Sequence, residues 1–447
     1  MKRKIDAVLE EWATSGRRHP LLVRGARRVG KTYSVKRLGA EVFGEGRFAY
    51  CDFQTNLERF SEAFAVTSDV EGIVSSLSLI LRKEIKPKET LIAFDEVQLC
   101  ENALNSLRFF AESDYRVVAT GSQLGMTLKN RELPFPSDVS HVYLRPMDFE
   151  EFLWAVGQEA VAEGIRDSFR SFRKFILHDE AMRLYETYLM VGGMPKAVGA
   201  FAEREGLDAV KARQVEIDET YAADIALYAP ADVAVHAQAI WRSIPQQLAR
   251  ESTRKFKYSD VAKGGRERVL RSPLAWLEAA ELVNINYQTN DVAAPLAPRG
   301  GGSYFKVYCA DTGLTFSRFN LDPVVFADPL RRRLVAPRFR GALAENYVMQ
   351  ALVANGMETF YWTPGTTSQN EVEFVLQNGL GQVVPVEVKS GDNVRSRSLN
   401  AYREKSGAPC AIRLSAKNFG KGDGVLSIPL YAAFCIDGKA LMDLAVE

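Results

Sequence analysis

Residues 21–32 read LLVRGARRVGKT, an apolar run that passes into a full GxxxxGK[ST] motif. The apolar run predicts a buried strand, and the residues after Lys31 predict a helix. The loop between them therefore sits where a strand hands over to a helix N-terminus. Gly25 and Gly30 let that loop curl, so that the amides of the stretch Gly25, Ala26, Arg27, Arg28, Val29 and Gly30 turn toward a phosphate. Lys31 supplies a cation for the β and γ phosphates, the Thr32 hydroxyl is a ligand for Mg2+, and Tyr33 closes the expected nucleotide-binding set. A Gly-rich turn with an exposed lysine would share these letters but would not require this position.

A second apolar run, LIAFDE (91–96), ends in two acids. Asp95 is expected to complete the Mg2+ shell, and Glu96, with Lys31, to act on the reaction by polarising the attacking water. A third run, YRVVATGS, ends in Thr120 and Ser122, at the end of a strand where an open α/β sheet places its ligand crevice. Ser122 is counted with the nucleotide-binding residues, although a TGS turn leaving a strand reads equally well. FAYCDF (48–53) and HVYLR (141–145) add two more apolar runs separated by helical segments, so the first third of the chain predicts an α/β layer of buried parallel strands.

The composition fits this reading. The chain has 447 residues, 47% of them hydrophobic and 25% charged, which suits several globular domains and excludes a mainly disordered protein. Lys and Arg number 57 against 56 Asp and Glu, so binding to nucleic acid must come from local patches. Five scattered cysteines without CxxC spacing and four histidines exclude a disulfide framework or a structural zinc site, and point to a reducing cytoplasm. The opening MKRKIDAVLEEWATS predicts an amphipathic helix rather than a signal peptide, and the absence of 18 consecutive apolar residues predicts no membrane partner.

Residues 149–250 carry apolar positions at helical spacing, broken at Gly192, Gly193 and Pro195. From about 238 to 290 two short helices, a basic connection, the helix LAWLEAAELV and the strand NINYQT suggest a winged-helix module. The Pro- and Gly-rich stretch 291–303 reads as a loop or linker. Between 242 and 271 nine Lys or Arg stand against the three acids Glu251, Asp260 and Glu267, with Phe256, Tyr258 and Trp276 interleaved. Such a stripe suits the phosphate backbone of DNA or RNA, or simply a solvated face. A second basic run, RRRLVAPRFR (331–340), holds five arginines.

After a helix expected from 341 to 355, EVEFVLQ (371–377) and QVVPVEVKS (382–390) alternate around an NGLG turn, predicting a hairpin with one polar edge. Alternation puts Glu371 and Glu373 on one face, and Glu387 with Lys389 beside them, with Glu345 able to approach from the preceding helix.

The stretches GARRVGKT, LIAFDEVQ, ATGSQ and LRPMDFEEF resemble the ATPase half of a large group of bacterial and archaeal AAA-type ATP-binding proteins. YLMVGGMPKAV, YAADI, KFKYSDVAKGGRER, YCADTGL, GALAENYV, EVEFVL and VEVKSG are similar to that group's C-terminal region, whose role is unassigned. The resemblance implies an α/β fold throughout: an AAA-like P-loop ATPase domain over 1–160, a helical lid-like region over 161–237, a winged-helix-like module over 238–295, and a PD-(D/E)xK nuclease-like domain over 296–447. It implies ATP and Mg2+ as cofactors and a second divalent metal held by Glu345, Glu373 and Glu387, with Lys389 beside it. The group's pattern commonly has Asp where this chain has Glu373. Similar proteins also carry a Gly-Arg before the LxPxxFxEF segment, which is lacking here, so the sequence places no arginine finger for an oligomer, and Arg145 or Arg131 would be a guess. The expected function is a Mg2+-dependent ATPase whose nucleotide cycle acts on the nuclease-like domain, with DNA or RNA as partner. An ATP-controlled switch with an inactive nuclease-like fold and a protein partner is the alternative, and a metal-dependent nuclease merely regulated by ATP is a third reading.

Overall fold

The structure, a computed structural model, describes residues 1–16, 19–122, 138–250, 254–332, 335–364, 371–391 and 397–446. The chain divides into two compact units. The first comprises Met1–Arg145, Thr220–Val235 and Ala279–Glu281, and the second Pro146–Glu219, His236–Glu278 and Leu282–Glu447. The four consecutive segments expected from the sequence cross this division, because the chain returns twice to the first unit.

The first unit is built on strands β1 (Leu21–Arg24), β2 (Phe48–Asp52), β3 (Leu91–Asp95), β4 (Arg116–Gly121) and β5 (Ser140–Tyr143). All pair in parallel, in the order β2-β3-β4-β1-β5. Every apolar run expected to be a strand is one. Strand β3 is buried along its whole length, as a parallel strand covered on both faces must be. β4 lies between β1 and β3, so the residues at its C-terminal end stand between the phosphate-binding loop and the acids of β3. On one side of the sheet Phe53, Phe60, Phe64, Phe94, Phe110 and Tyr115 form a chain of tilted and edge-to-face rings, with centroids 5.3 to 6.5 Å apart. The N-terminal helix, Lys4–Thr14, buries Ile5, Leu9, Trp12 and Ala13, the amphipathic stripe read from its sequence.

In the second unit helices Phe149–Ala155, Glu159–Ser171, His178–Val191 and Pro195–Ala202 follow the helical periodicity. Gly192 sits at φ +73° between the last two, and Pro195 opens the next helix, so the expected break is real. The first of the two short helices expected after 238 is instead the end of Ala231–Leu248, which tolerates Pro245, and the second is only the 3-10 turn Tyr258–Asp260. The third is the helix Glu267–Ala279.

Eight strands form the second sheet: β6 (Val283–Thr289), β7 (Phe305–Cys309), β8 (Phe360–Trp362), β9 (Val372–Gln377), β10 (Val383–Val388), β11 (Ala411–Ser415), β12 (Gly420–Gly422) and β13 (Val425–Pro429). Their order is β12-β13-β11-β10-β9-β8-β6-β7. β6 and β7 are antiparallel partners, so the Pro- and Gly-rich stretch 291–303 joins two strands of one hairpin and is not a linker between domains. A boundary at 295 would cut this hairpin in half. β9 and β10 form the expected hairpin, whose turn is closed by Asn378 Oδ1 accepting from the amides of Leu380 and Gln382, both at 3.0 Å. The expected polar edge is absent. With β8 on one flank and β11 on the other, the pair is central, and both strands are buried on both faces except at Gln377. The helix expected from 341 starts earlier and spans Pro337–Ala354.

Three sequence motifs of this unit meet around Asp311, with Gln350 just beyond a fourth. Its carboxylate accepts from the amide of Gly193 at 2.6 Å and from that of Leu314 at 2.9 Å, while Gly193 O accepts from Met147 N at 2.7 Å. Gln350 accepts from Thr312 and donates to Tyr188 Oη at 2.9 Å. Any side chain at Gly193 would strike the Met147 carbonyl, which explains a glycine there. Among the described residues no helix is long and apolar enough to cross a membrane.

Candidate functional site

In the first unit the loop after β1 curls back on itself. Gly30 caps the helix Lys31–Leu38 at φ +102°, and a Cβ on Gly25 would overlap the carbonyl of Leu144, so both positions require glycine. Arg3, buried at the N-terminus, donates to the carbonyls of Val29 at 2.9 Å and Arg145 at 2.7 Å and so props the loop. The Lys31 ammonium is buried and donates to Gly25 O at 2.8 Å and Ala26 O at 2.9 Å. Burial pushes it below the ordinary lysine range, against the pull of Glu96, Glu281 and Asp95.

Thr32 and Asp95 come together as expected. The Thr32 hydroxyl lies 3.0 Å from both carboxylate oxygens of Asp95. Two further hydroxyls donate to the same carboxylate, Tyr50 Oη at 2.5 Å and Thr120 Oγ1. Glu96 adopts φ +55°, a strained conformation for a residue with a Cβ, which turns it out of line with β3. Its amide donates to Thr120 Oγ1 at 3.1 Å, and its carboxylate accepts from Gln98 Nε2 at 2.5 Å. Gln98 also donates to Ser122 at 3.3 Å, so Ser122 is tied to Glu96 through Gln98. A hydroxyl beside a buried carboxylate, at the N-terminus of a helix, is a donor set that fits Mg2+ with a nucleotide phosphate.

Sequence reasoning missed Arg3, Tyr50, Gln98 and the segment 220–235. Gln98 had a visible signal in LIAFDEVQ, two residues beyond the second acid. From the 220–235 segment Asp224 pairs with Arg27, and Tyr221 Oη donates to Arg27 O at 2.8 Å. Burial pushes the Asp224 carboxyl upward, with Arg27 opposing it. Tyr33 is exposed on the first turn of the helix. Arg145 lies 3.7 Å from Glu281, which leaves it engaged within its own unit, and Arg131 lies outside the described residues.

In the second unit a cavity of about 670 Å3 brings Glu345, Glu373 and Lys389 together, as expected, and adds Arg250, Arg254 and Arg338. Glu387 reaches the same cluster from β10, 3.2 Å from the Lys389 ammonium, while Glu373 lies 3.6 Å from it. A solvated face is ruled out, since Glu345, Glu373 and Glu387 are all buried. Burial pushes the Glu373 carboxyl up, with Lys389 opposing it. Desolvation would lower Lys389, but Glu373 and Glu387 outweigh it and hold the ammonium above its ordinary range.

The expected second metal does not fit these residues. One Glu345 oxygen is paired to Arg254, and the other accepts from Tyr308 at 3.1 Å and faces the buried Lys306 at 3.3 Å. Glu373 accepts from the Val388 amide at 3.2 Å, and Glu387 lies 3.7 Å from Arg413. Glu371 is drawn away to Lys306. The oxygens a divalent cation needs are thus held by the protein's own cations. Among the described residues no group of three or more acids, histidines or cysteines is arranged to hold a metal.

The basic stripe separates into parts. Arg250 pairs with Asp260 and Arg254 with Glu345, and burial lowers Lys255. Arg242, Lys257, Lys263, Arg266, Arg268 and Arg271 are exposed. The interleaved aromatics are not free for stacking on bases. Trp276 is buried, and Phe256 stacks on Phe305 at 5.4 Å with Tyr258 edge-on. Glu251 and Arg333 lie outside the described residues.

Residues 17–153 match a family described as AAA domain. Residues 182–324 and 340–432 match two families described as Domain of unknown function, DUF8612 and DUF4143. No curated protein matches the chain. Similar solved structures include the Aeropyrum pernix Orc1 protein in complex with DNA, 15% identical, covering 75% of this chain and 95% of its own, with a TM-score of 0.30. Others are Cdc6p from Pyrobaculum aerophilum (12% identity, 74% and 93% covered, TM-score 0.26) and Drosophila ORC bound to DNA (12%, 66% and 88%, 0.23). At these TM-scores the likenesses carry no argument. The AAA match spans the phosphate-binding loop, β3 and its acids, so the N-terminal part of the chain is an AAA-type P-loop domain.

Proposed function

We propose that the protein is a Mg2+-dependent ATPase whose nucleotide cycle acts on its C-terminal, nuclease-like region, with nucleic acid as the partner. The observation that carries this is the Thr32 hydroxyl lying 3.0 Å from both oxygens of Asp95, with Glu96 next in the chain, turned aside and tied to Ser122 through Gln98. Bound Mg2+ would supply the charge that neutralises the developing negative oxygen at the β–γ phosphate bridge. Thr32 and Asp95 would hold it. The loop amides from Gly25 to Gly30 orient the phosphates, Lys31 turns from its carbonyls to the β and γ oxygens, and Glu96 takes the proton of the attacking water.

The exposed arginines and lysines around the helix Glu267–Ala279 support nucleic acid as the partner. Reversing Lys257, Arg266 and Arg268 together to Glu is expected to weaken binding of a labelled oligonucleotide more than tenfold at low salt. It should also flatten the salt dependence, because each phosphate contact adds roughly 0.7 to 0.9 to the slope of log K against log salt. An unchanged affinity and slope would return these residues to a solvated face.

A second reading, an ATP-controlled switch with an inactive nuclease-like fold, is favoured by the cation-held carboxylates of the cavity. Steady-state ATPase rates with and without single- and double-stranded DNA and RNA, followed by gels for Mg2+- or Mn2+-dependent cleavage, test both. Stimulation by nucleic acid supports the first reading. Turnover indifferent to every nucleic acid, with no cleavage, supports the second.

A further inference from the structure

We infer that Asp224 and Tyr221 are positioning residues of the nucleotide site, holding the phosphate loop at Arg27 in the shape that receives a nucleotide. The inference deepens the ATPase reading and rests on it.

Asp224 and Tyr221 stand 197 and 194 residues beyond Arg27 in the chain, outside the stretch 17–153 that matches the AAA family. They hold Arg27 in two independent ways. The Asp224 carboxylate accepts from the guanidinium Nη1, and the Tyr221 hydroxyl donates to the main-chain carbonyl at 2.8 Å. A third contact comes from Tyr228, whose ring centroid lies 5.9 Å from the guanidinium. Positions 221, 224 and 228 recur at i, i+3 and i+7 on the helix Leu207–Tyr228, so one face of the helix end meets the loop while Ala223 and Leu227 are exposed.

The grip falls where the loop needs it. Arg28 adopts φ +68°, a left-handed conformation that a residue with a Cβ keeps only where its surroundings impose it. The Arg27 carbonyl belongs to the peptide that leads into Arg28, so the Tyr221 hydroxyl fixes the plane whose rotation would relieve that strain. Asp224 fixes the side chain of the same residue. Asp224 and Tyr221 are each only 3% exposed, so packing determines where both holds are applied. Arg27 also stands among the charges of the site. Burial would lower its guanidinium, but Asp224, Tyr228 and Glu96 raise it above the ordinary arginine range. A loop already held in its binding shape loses little further freedom when phosphates arrive, which is how residues acting only through Arg27 strengthen binding.

The test uses the full chain with Asp224→Asn or Tyr221→Phe, each of which removes one hold and keeps the side chain's shape. Affinities for N-methylanthraniloyl-labelled ADP and for a labelled, non-hydrolysable ATP analogue are measured by fluorescence in Mg2+. Each variant is expected to bind both nucleotides about tenfold more weakly, the scale of one lost charge-assisted or buried hydrogen bond. The two losses should be equal, because the holds act on the loop and not on the γ-phosphate. In steady-state turnover the loss should fall on KM rather than on the rate at saturation, since Glu96 is untouched. Arg27→Gln combined with Asp224→Asn should bind no more weakly than Arg27→Gln alone, because both changes break the same contact, and Arg27→Lys should recover part of the affinity. The unfolding temperature of Asp224→Asn should stay close to that of wild type, because Arg27, 24% exposed, is left to water.

A second measurement needs no variant. If loosening the clasp weakens nucleotide binding about tenfold, nucleotide must suppress the loosening by the same factor, so saturating ADP should slow amide hydrogen exchange at residues 224–228 correspondingly. Wild-type protein that binds no nucleotide would remove the ATPase reading itself. Wild-type protein that binds nucleotide, with both variants unaltered in affinity or with exchange at the helix end indifferent to ADP, would overturn the positioning role alone.

Discussion

Glu96→Gln is expected to leave ATP bound and to slow its hydrolysis by about 10²- to 10⁴-fold, the range a positioned general base contributes. Glutamine keeps the shape and the acceptor oxygen that Gln98 uses, so the strained turn at φ +55° should survive the change. It cannot take a proton. Lys31→Ala should behave differently and weaken ATP binding itself, because the ammonium is the cation at the β and γ phosphates and alanine leaves those charges to the loop amides alone. Filter binding of radiolabelled ATP in Mg2+, beside single-turnover hydrolysis, separates the two effects. Turnover unimpaired in both variants would remove the ATPase reading. A Glu96→Gln protein that no longer binds ATP would instead make Glu96 a structural part of the loop.

The contrast between the two units explains what could be read in advance. In the first, β1, β3 and β4 were legible because a parallel strand covered on both faces must be a continuous apolar run, and these three runs lead into residues with chemistry. Asp95, Glu96 and Thr32 could be placed because local order alone fixes them at the ends of strands or the start of a helix. Tyr50 was invisible as a partner of Asp95. Its hydroxyl reaches that carboxylate from a neighbouring strand, and strand order is a nonlocal fact that no spacing encodes. Arg27 and Asp224 are nearly two hundred residues apart in sequence and meet only because the chain returns to the first unit.

In the second unit the alternation of EVEFVLQ and VVPVEVKS put the right residues on one face but misjudged what lay against it. Alternation of charge and hydrocarbon normally means that one side is wet. Here Lys389, Arg413, Arg254 and Lys306 neutralise the carboxylates, so a polar face can be buried. The same pairing defeats the metal expectation. Two carboxylates bind a hard cation only if their oxygens are free to do so, and the arginine that engages Glu345 comes from a stretch read as a nucleic-acid surface. Residues 291–303 left loop and linker both open for a simpler reason. Proline and glycine mark a place where a strand ends, and they do not say whether the next strand belongs to the same sheet.

Asp311→Ala is expected to be the most destabilising single change in the second unit. Two amides, those of Gly193 and Leu314, would be left buried without an acceptor, at about 1 to 3 kcal/mol each. The loss also unpins the Gly-Gly turn from the helix that follows Asp311. Asp311→Asn is the sharper probe, because one of its two terminal groups becomes a donor facing an N–H. Burial raises the Asp311 carboxyl to about 6, against the backbone hydrogen bonds that lower it. Between the unfolded value near 4 and about 6 the folded state therefore holds a proton that the unfolded chain has released. The contribution of this group to stability is full below that window and is lost as the pH rises through about 6, by an amount on the order of 1 to 3 kcal/mol. Asparagine does not titrate. The gap in unfolding free energy between wild type and Asp311→Asn should therefore be wider at pH 5 than at pH 7.5, as measured by urea unfolding monitored through tryptophan fluorescence. A gap that is constant with pH, or that widens as the pH rises, would mean that Asp311 is ionised throughout and that its two amide partners outweigh its burial.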